Sequence, residues 1–298
     1  MKKITYAKAI SEAIDEEMER DRNVILMGED VGIKGGNFGQ AVGLYKKYGE
    51  WRVKDTPISE NSFVGLCLGA ALTGLRPIVE IMYSDFLMLA LDQIGNQAAK
   101  IRYMSGGQAK VPLTICTTIG MGRSTAAQHS QSLQALVCHI PGLKVVMPSS
   151  AAEAKGLLKT AIRDDNPVIF FEHRIEYNKT YEVPEGEYTI PFGVANILRE
   201  GKDIAVVGTS NQALKALRAA EELAKEVPPK EEVTPQEDKP QVSTKEGIAL
   251  TLELYNQLLP NDKAKFVNPL DKMEKIELRK TYLAMQAILN SYPQYAAE

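Results

Sequence analysis

The sequence predicts an α/β protein: a doubly wound parallel sheet followed by a shorter helical C-terminal part. Three observations lead there. Almost wholly apolar strand candidates alternate with helical stretches of about 12 to 20 residues, the pattern of parallel strands covered on both faces. Glycine-rich or polar loops follow several of the strands, where ligands sit in such folds. At 298 residues and 44% apolar, the chain is long enough to bury a full core.

The elements follow in order. Tyr6, Ile10, Ala13, Ile14 and Met18 recur at helical spacing, with Thr5 placed to cap the helix. VILMG, from Val24 to Gly28, is a buried strand, and a glycine-rich loop through Gly32, Gly35, Gly36 and Gly39 follows it. DTPISE is a polar turn. NSFVGLCLGAALTG is a helix whose small residues permit close packing, and PIVEIM is the next strand. A long helix is expected from Asp85 to Met104, then the strand VPLTICT, then a polar glycine-rich stretch from Thr118 to Ser130. LKVVMP is a strand, Ser149 or Ser150 caps the helix AAEAKGLLKTAIRDD, and PVIFFEH is a buried strand. DIAVVGTS and NQALKALRAAEELAKE give one further strand and helix.

Four units result: a main domain over 1–200, a single βα unit over 201–226, a linker over 227–246 and a helical tail over 247–298. The linker carries four prolines, eight charged residues and only three apolar ones, all valine, so disorder is expected there. The tail holds two amphipathic stretches, IALTLELYNQLL and KMEKIELRKTYLAMQAILN.

Charge and composition exclude several functions. With 35 basic and 38 acidic residues, the chain lacks the basic excess of a nucleic-acid binder. No apolar run approaches the roughly 20 residues that span a bilayer. The amphipathic, acidic N-terminus is no secretory signal. Cys67, Cys116 and Cys138 show neither CxxC spacing nor even pairing, which fits small core residues in a reducing cytoplasm.

The candidate chemistry sits in the loops. Glu60 opens a helix, where the dipole favours its anion and apolar surroundings oppose it; such a carboxyl can exchange a strong hydrogen bond with a ligand nitrogen, or be an ordinary first-turn glutamate. Glu29, in GEDVG, has the same strand-end position and the same ambiguity. His129 lies in the polar loop AAQHSQS, suited to proton transfer or to a structural role, and Phe86 is a core residue or a stacking plate. Neither glycine-rich loop has the GxGxxG or GxxxxGK[ST] spacing of a nucleotide site, so both are equally turns with positive φ.

Eight motifs in order, ILMGEDVG, DTPISE, GLRPIVEIM, LDQIGNQAAKIRYMSGG, AAQHSQS, HIPGLKVVMPSS, AKGLLKTAIRDDNPVIFFEH and VPEGEYTIPFG, resemble the beta subunit of the thiamine-diphosphate-dependent first component of 2-oxo acid (pyruvate) and acetoin dehydrogenase complexes. The resemblance covers about residues 3–226 and implies a thiamine-diphosphate-binding fold of the transketolase-like pyrimidine type. It gives Glu60 the contact to the aminopyrimidine ring nitrogen that leads to the ylide, Phe86 the stacking face, and His129 proton transfer during reductive acylation of a lipoyl group. Glu29 belongs with the cofactor-binding residues. Leu113, Ala161, Ile162, Asp164 and Asn166 match positions that hold a structural potassium ion, largely through carbonyls. The family's Gly-Asp-Gly magnesium-diphosphate motif is absent here, as expected of a beta chain that shares its site with an alpha subunit carrying Mg2+. The resemblance also implies a lipoyl acyltransferase core as partner, and pyruvate, another short 2-oxo acid or acetoin as substrate. Because the rest of the family's C-terminal domain is replaced by the linker and tail, the rival reading is a truncated paralogue acting as an assembly protein.

Overall fold

A computed structural model describes residues 1–226 except 121, 123 and 203. The element order is β1 (Lys2–Thr5), α1 (Tyr6–Arg20), β2 (Val24–Gly28), α2 (Leu44–Tyr48), β3 (Val53–Asp55), α3 (Glu60–Leu72) and β4 (Arg76–Ile81). Then come α4 (Ala99–Met104), β5 (Thr114–Ile119), α5 (Gln134–Cys138), β6 (Lys144–Val146), α6 (Ala151–Arg163), β7 (Val168–His173), β8 (Thr180–Val183) and α7 (Asn211–Glu226). Six parallel strands form one sheet in the order β3-β2-β4-β5-β7-β6, and β1 pairs antiparallel with β8 in a separate ribbon.

Alternation along each strand divides the core in two. Val24, Leu26, Ile78, Cys116, Val168 and Phe170 face α1 and α6. Ile25, Met27, Val79, Ile81, Ile115, Ile169 and Phe171 face α3 and the segment before α4. Burial of such a side chain contributes about 1.5–3 kcal/mol, which explains why these strands contain almost nothing polar. The caps behave as expected. Thr5 accepts the Lys8 amide at 3.2 Å, and Ser150 accepts the Glu153 amide at 3.2 Å while the Glu153 carboxylate reaches back to the Ser149 amide at 2.8 Å. Between α1 and α6, the buried Lys159 ammonium pairs with Glu16 at 2.8 Å and with Glu187.

Two departures from strand chemistry stand out. Glu80 on β4 and Glu172 on β7 are fully buried beside Cys116 on β5, with their ligand atoms within 4.8 Å of one another. The Tyr177 hydroxyl donates to Glu172 Oε2, while Glu80 Oε1 and Glu172 Oε1 have no hydrogen-bond partner. Burial pushes the Glu172 carboxyl up to about 7, and burial together with the Glu172 charge raises Glu80 well above the carboxylate range.

The structure corrects several expectations. Residues 204–209 form no strand, so the βα unit over 201–226 reduces to α7; Ile204, Val206 and Val207 are exposed, and among the described residues no neighbouring strand offers ladder partners or a covering face. The single helix over Asp85–Met104 is instead a 3-10 turn (Ser84–Met88), a π turn (Gln93–Ala98) and α4. Cys138 is exposed rather than in the core, unlike Cys67 and Cys116. Short β1, β3 and β8 and the five-residue α2 were not foreseen, since so few residues carry little periodicity. The linker and the amphipathic tail lie outside the described residues. Among the described residues no helix is long and apolar enough to cross a membrane.

Candidate active site

The sheet order creates a switch point. From β2 the chain passes to β3 on one side, and from β4 it passes to β5 on the other, so a crevice opens beyond the carboxyl ends of β2 and β4. All four predicted chemical residues follow the carboxyl ends of four adjacent strands. Glu29 follows β2, Glu60 follows β3, Phe86 follows β4 and His129 follows β5.

Glu60 is the first residue of α3 and 5% exposed. The Ser59 hydroxyl donates to Ser62 Oγ at 2.8 Å and makes no cap bond to the helix backbone, so the carboxylate carries the interaction with the helix dipole. Glu29 lies close enough to feel it. Burial first, then the charges of Glu60 and Asp30, hold the Glu29 carboxyl above its ordinary range, and its Oε1 is buried without a partner. An acceptor left unsatisfied in a concave site costs free energy, and a ligand that donates to it recovers that cost.

Phe86 and His129 come together. Their ring centroids lie 5.3 Å apart at 90°, and Tyr83 meets the same imidazole at 5.2 Å and 76°. Phe38, from the glycine-rich loop, continues the aromatic wall to Tyr83 at 6.0 Å. The Arg174 guanidinium lies 4.4 Å over the Tyr83 ring. Tyr83 stands in a strand-end loop that the fold class marks for ligands; Phe38 and Arg174 escaped the sequence reading, because no motif or spacing ties them to that loop. The glycines behave as turns. Gly35, Gly36, Gly39 and Gly120 have positive φ, and a Cβ at Gly120 would lie 2.6 Å from the His173 ring.

The potassium candidates cluster at the opposite, amino edge of the sheet. The Arg76 guanidinium donates to the Ile162 carbonyl at 2.8 Å and to the Asp164 carbonyl at 3.0 Å. The Leu113 and Ala161 carbonyls accept the amides of Val168 and Asp164 at 2.9 and 3.2 Å. Asn166 accepts from Arg102 at 2.9 Å and donates to the Asp164 carboxylate, which Lys144 also engages. Each of those four carbonyls keeps a second lone pair.

An open α/β sheet with carboxylates and edge-to-face rings at its switch point defines a cofactor-binding domain, and residues 2–180 match the transketolase, pyrimidine binding domain family. The chain belongs to that family, and within it to the beta subunits of pyruvate, acetoin and related 2-oxo acid dehydrogenases. It is 52% identical over 235 residues to the acetoin:2,6-dichlorophenolindophenol oxidoreductase subunit beta of Cupriavidus necator, covering 76% of this chain and 69% of the relative. It is 53% identical over 207 residues to the pyruvate dehydrogenase E1 component subunit beta of Porphyra purpurea, covering 70% and 62%. A third relative, the Bacillus subtilis acetoin:2,6-dichlorophenolindophenol oxidoreductase subunit beta, is 45% identical over 273 residues, covering 88% and 79%, a longer stretch of this chain than residues 3–226. The chain thus spans between about three-fifths and four-fifths of these relatives' lengths. A solved split-gene transketolase, described as an inactive beta4 tetramer, shares the fold at a TM-score of 0.60 and 23% identity over 75% of this chain and 68% of the other.

Proposed function

We propose that this chain is the beta subunit of a thiamine-diphosphate-dependent dehydrogenase of the pyruvate/2-oxo acid or acetoin type, acting with an alpha subunit and passing a two-carbon unit to lipoamide. One observation carries the reading: a buried glutamate at a helix N-terminus, beside a second carboxyl with an unpartnered oxygen, at the switch point of the sheet. That pair of acceptors fits a protonated aminopyrimidine, which donates. When bound, thiamine diphosphate supplies an acidic thiazolium carbon that adds to the substrate carbonyl. Glu60 would hold the proton at the pyrimidine ring nitrogen, and the partner-free oxygen of Glu29 would accept a hydrogen bond from the same side of the site. Phe86 would limit the ring's tilt. His129, steadied edge-on by Phe86 and Tyr83, would move a proton during transfer to the lipoyl group.

The partner is supported by apolar surface. Leu66 and Leu72 on α3, with Met88 and Leu89 at the end of the 3-10 turn, are exposed. Magnesium would sit with the diphosphate on the alpha chain, and potassium would take the second lone pairs of the carbonyls around Leu113, Ala161, Ile162 and Asp164. A lipoyl acyltransferase core would be the further partner, and the cytoplasm the compartment. Residues 1–200 would form the cofactor domain and α7 the start of a second. Glu60→Gln tests the reading. Proton-deuterium exchange at the thiazolium carbon in the reconstituted complex should fall by about 10²- to 10⁴-fold, with the fold unchanged. Exchange at the wild-type rate would remove Glu60 from the mechanism.

A further inference from the structure

The loop that carries His129 is tied to the turn that carries Phe86 by a contact that none of the site residues makes. Ser84 and Asp85 immediately precede Phe86, and both are buried, Ser84 completely and Asp85 to 4% exposure. Gln131 lies two residues beyond His129. Asp85 Oδ1 accepts the Gln131 side-chain amide at 2.8 Å and its backbone amide at 3.3 Å. The Ser84 hydroxyl donates to the Gln131 carbonyl at 3.2 Å, and the Gly120 amide donates to the same oxygen at 3.3 Å. Gln131 is therefore held through its side chain, its N–H and its C=O at once, and the Gly120 contact closes the loop on itself. The other side of His129 is fixed by Thr125, whose hydroxyl donates to the His129 carbonyl at 3.0 Å while accepting from Arg174 at 2.6 Å.

Stability alone does not account for an acid at position 85. Its second oxygen, Oδ2, is buried without a partner, which costs free energy in the folded chain. What the carboxylate secures is register between two loops that arrive from different strands. Without it, the described contacts between the Phe86 turn and the His129 loop come down to the single Ser84–Gln131 hydrogen bond and the ring contacts, and such ring pairs hold only about 0.5–1.5 kcal/mol.

We infer that Asp85, supported by Ser84, is a positioning residue: by clamping Gln131 it sets the imidazole of His129 edge-on against Phe86 and Tyr83, and so governs the proton-transfer step assigned to His129 rather than the activation assigned to Glu60. The inference rests on the function proposed above for the chemical step, but the geometry it describes belongs to this chain alone. An error of about 1 Å in the place of a proton-transfer group costs up to about 10²-fold.

Two measurements test it. The chain has only three histidines, His129, His139 and His173, so selective labelling of the imidazole Cε1–H in the full chain gives an assignable spectrum. Asp85→Ala should move the His129 resonance toward that of a solvent-exposed histidine and leave that of His139 in place. In the complex with an alpha-type subunit, Asp85→Ala should reduce transfer to lipoamide about 10- to 100-fold while thiazolium exchange changes less than about twofold. Asp85→Asn, which keeps the Oδ1 acceptor, should restore both the resonance and the transfer. An unmoved His129 resonance overturns the clamp whatever the activity does. Equal losses in transfer and exchange overturn it too, because they would report general damage. If Glu60→Gln leaves exchange intact, the proposed function fails while the resonance arm still decides the clamp.

Discussion

Removing the charge from Glu172 should stabilise the protein at neutral and alkaline pH and leave it unchanged in acid. Glu172 is fully buried on β7 with Oε1 unpartnered, and its carboxyl titrates near 7 against an ordinary 4.5. The unfolded chain releases this proton near 4.5 and the folded chain keeps it to about 7. Between those values the folded state binds more protons, so stability falls as pH rises, and above 7 the loss is complete. A difference of about 2.5 units at 1.36 kcal/mol each corresponds to about 3 kcal/mol. Glu80, raised in the same direction, extends the loss to higher pH. Glu172→Gln keeps an acceptor for the Tyr177 hydroxyl and cannot ionise. Urea unfolding of both proteins from pH 5 to pH 8 reads the effect together with the part of the Glu80 shift that the Glu172 charge causes, since groups remote from Glu172 cancel in the difference. The variant should gain about 3 kcal/mol relative to wild type across that range. A constant difference would show that Glu172 is already ionised in the folded protein and that the argument from burial is wrong.

Two further outcomes follow from the site. Titration of the isolated chain with thiamine diphosphate and Mg2+ should show no sub-micromolar binding; tight binding without a partner would reveal a diphosphate site in this chain. Gly28→Ala should cost about 1–3 kcal/mol in thermal or urea unfolding, because the new Cβ would lie 2.6 Å from the Glu80 backbone oxygen across the β2–β4 ladder; an unchanged midpoint would show that the two strands can separate there.

The parallel sheet was legible because five of its strands lie in apolar runs; Glu29, Phe86 and His129 were legible in the loops beyond such runs, and Glu60 because it opens a helix. What periodicity could not supply was pairing between segments far apart in sequence. The Asp85–Gln131 clamp joins residues 46 apart, and its members look like ordinary loop polars. The buried acids did leave a trace, since Glu80 in PIVEIM and Glu172 in PVIFFEH are charges inside otherwise apolar strands. Residues 204–209 misled for the opposite reason. Their composition is that of a core strand, but a strand needs neighbours, and composition does not reveal whether neighbours exist.

That stretch has a bearing on how the molecule behaves in a tube. Ile204, Val206 and Val207 form a short β-branched run without proline, exposed and without ladder partners among the described residues. Such a run is a template for another chain, and each copy brings an identical one. Colloidal behaviour should therefore depend on concentration more steeply than a net charge of -3 alone would suggest. Val207, 92% exposed, is where a lysine would act as gatekeeper at least expense to the fold.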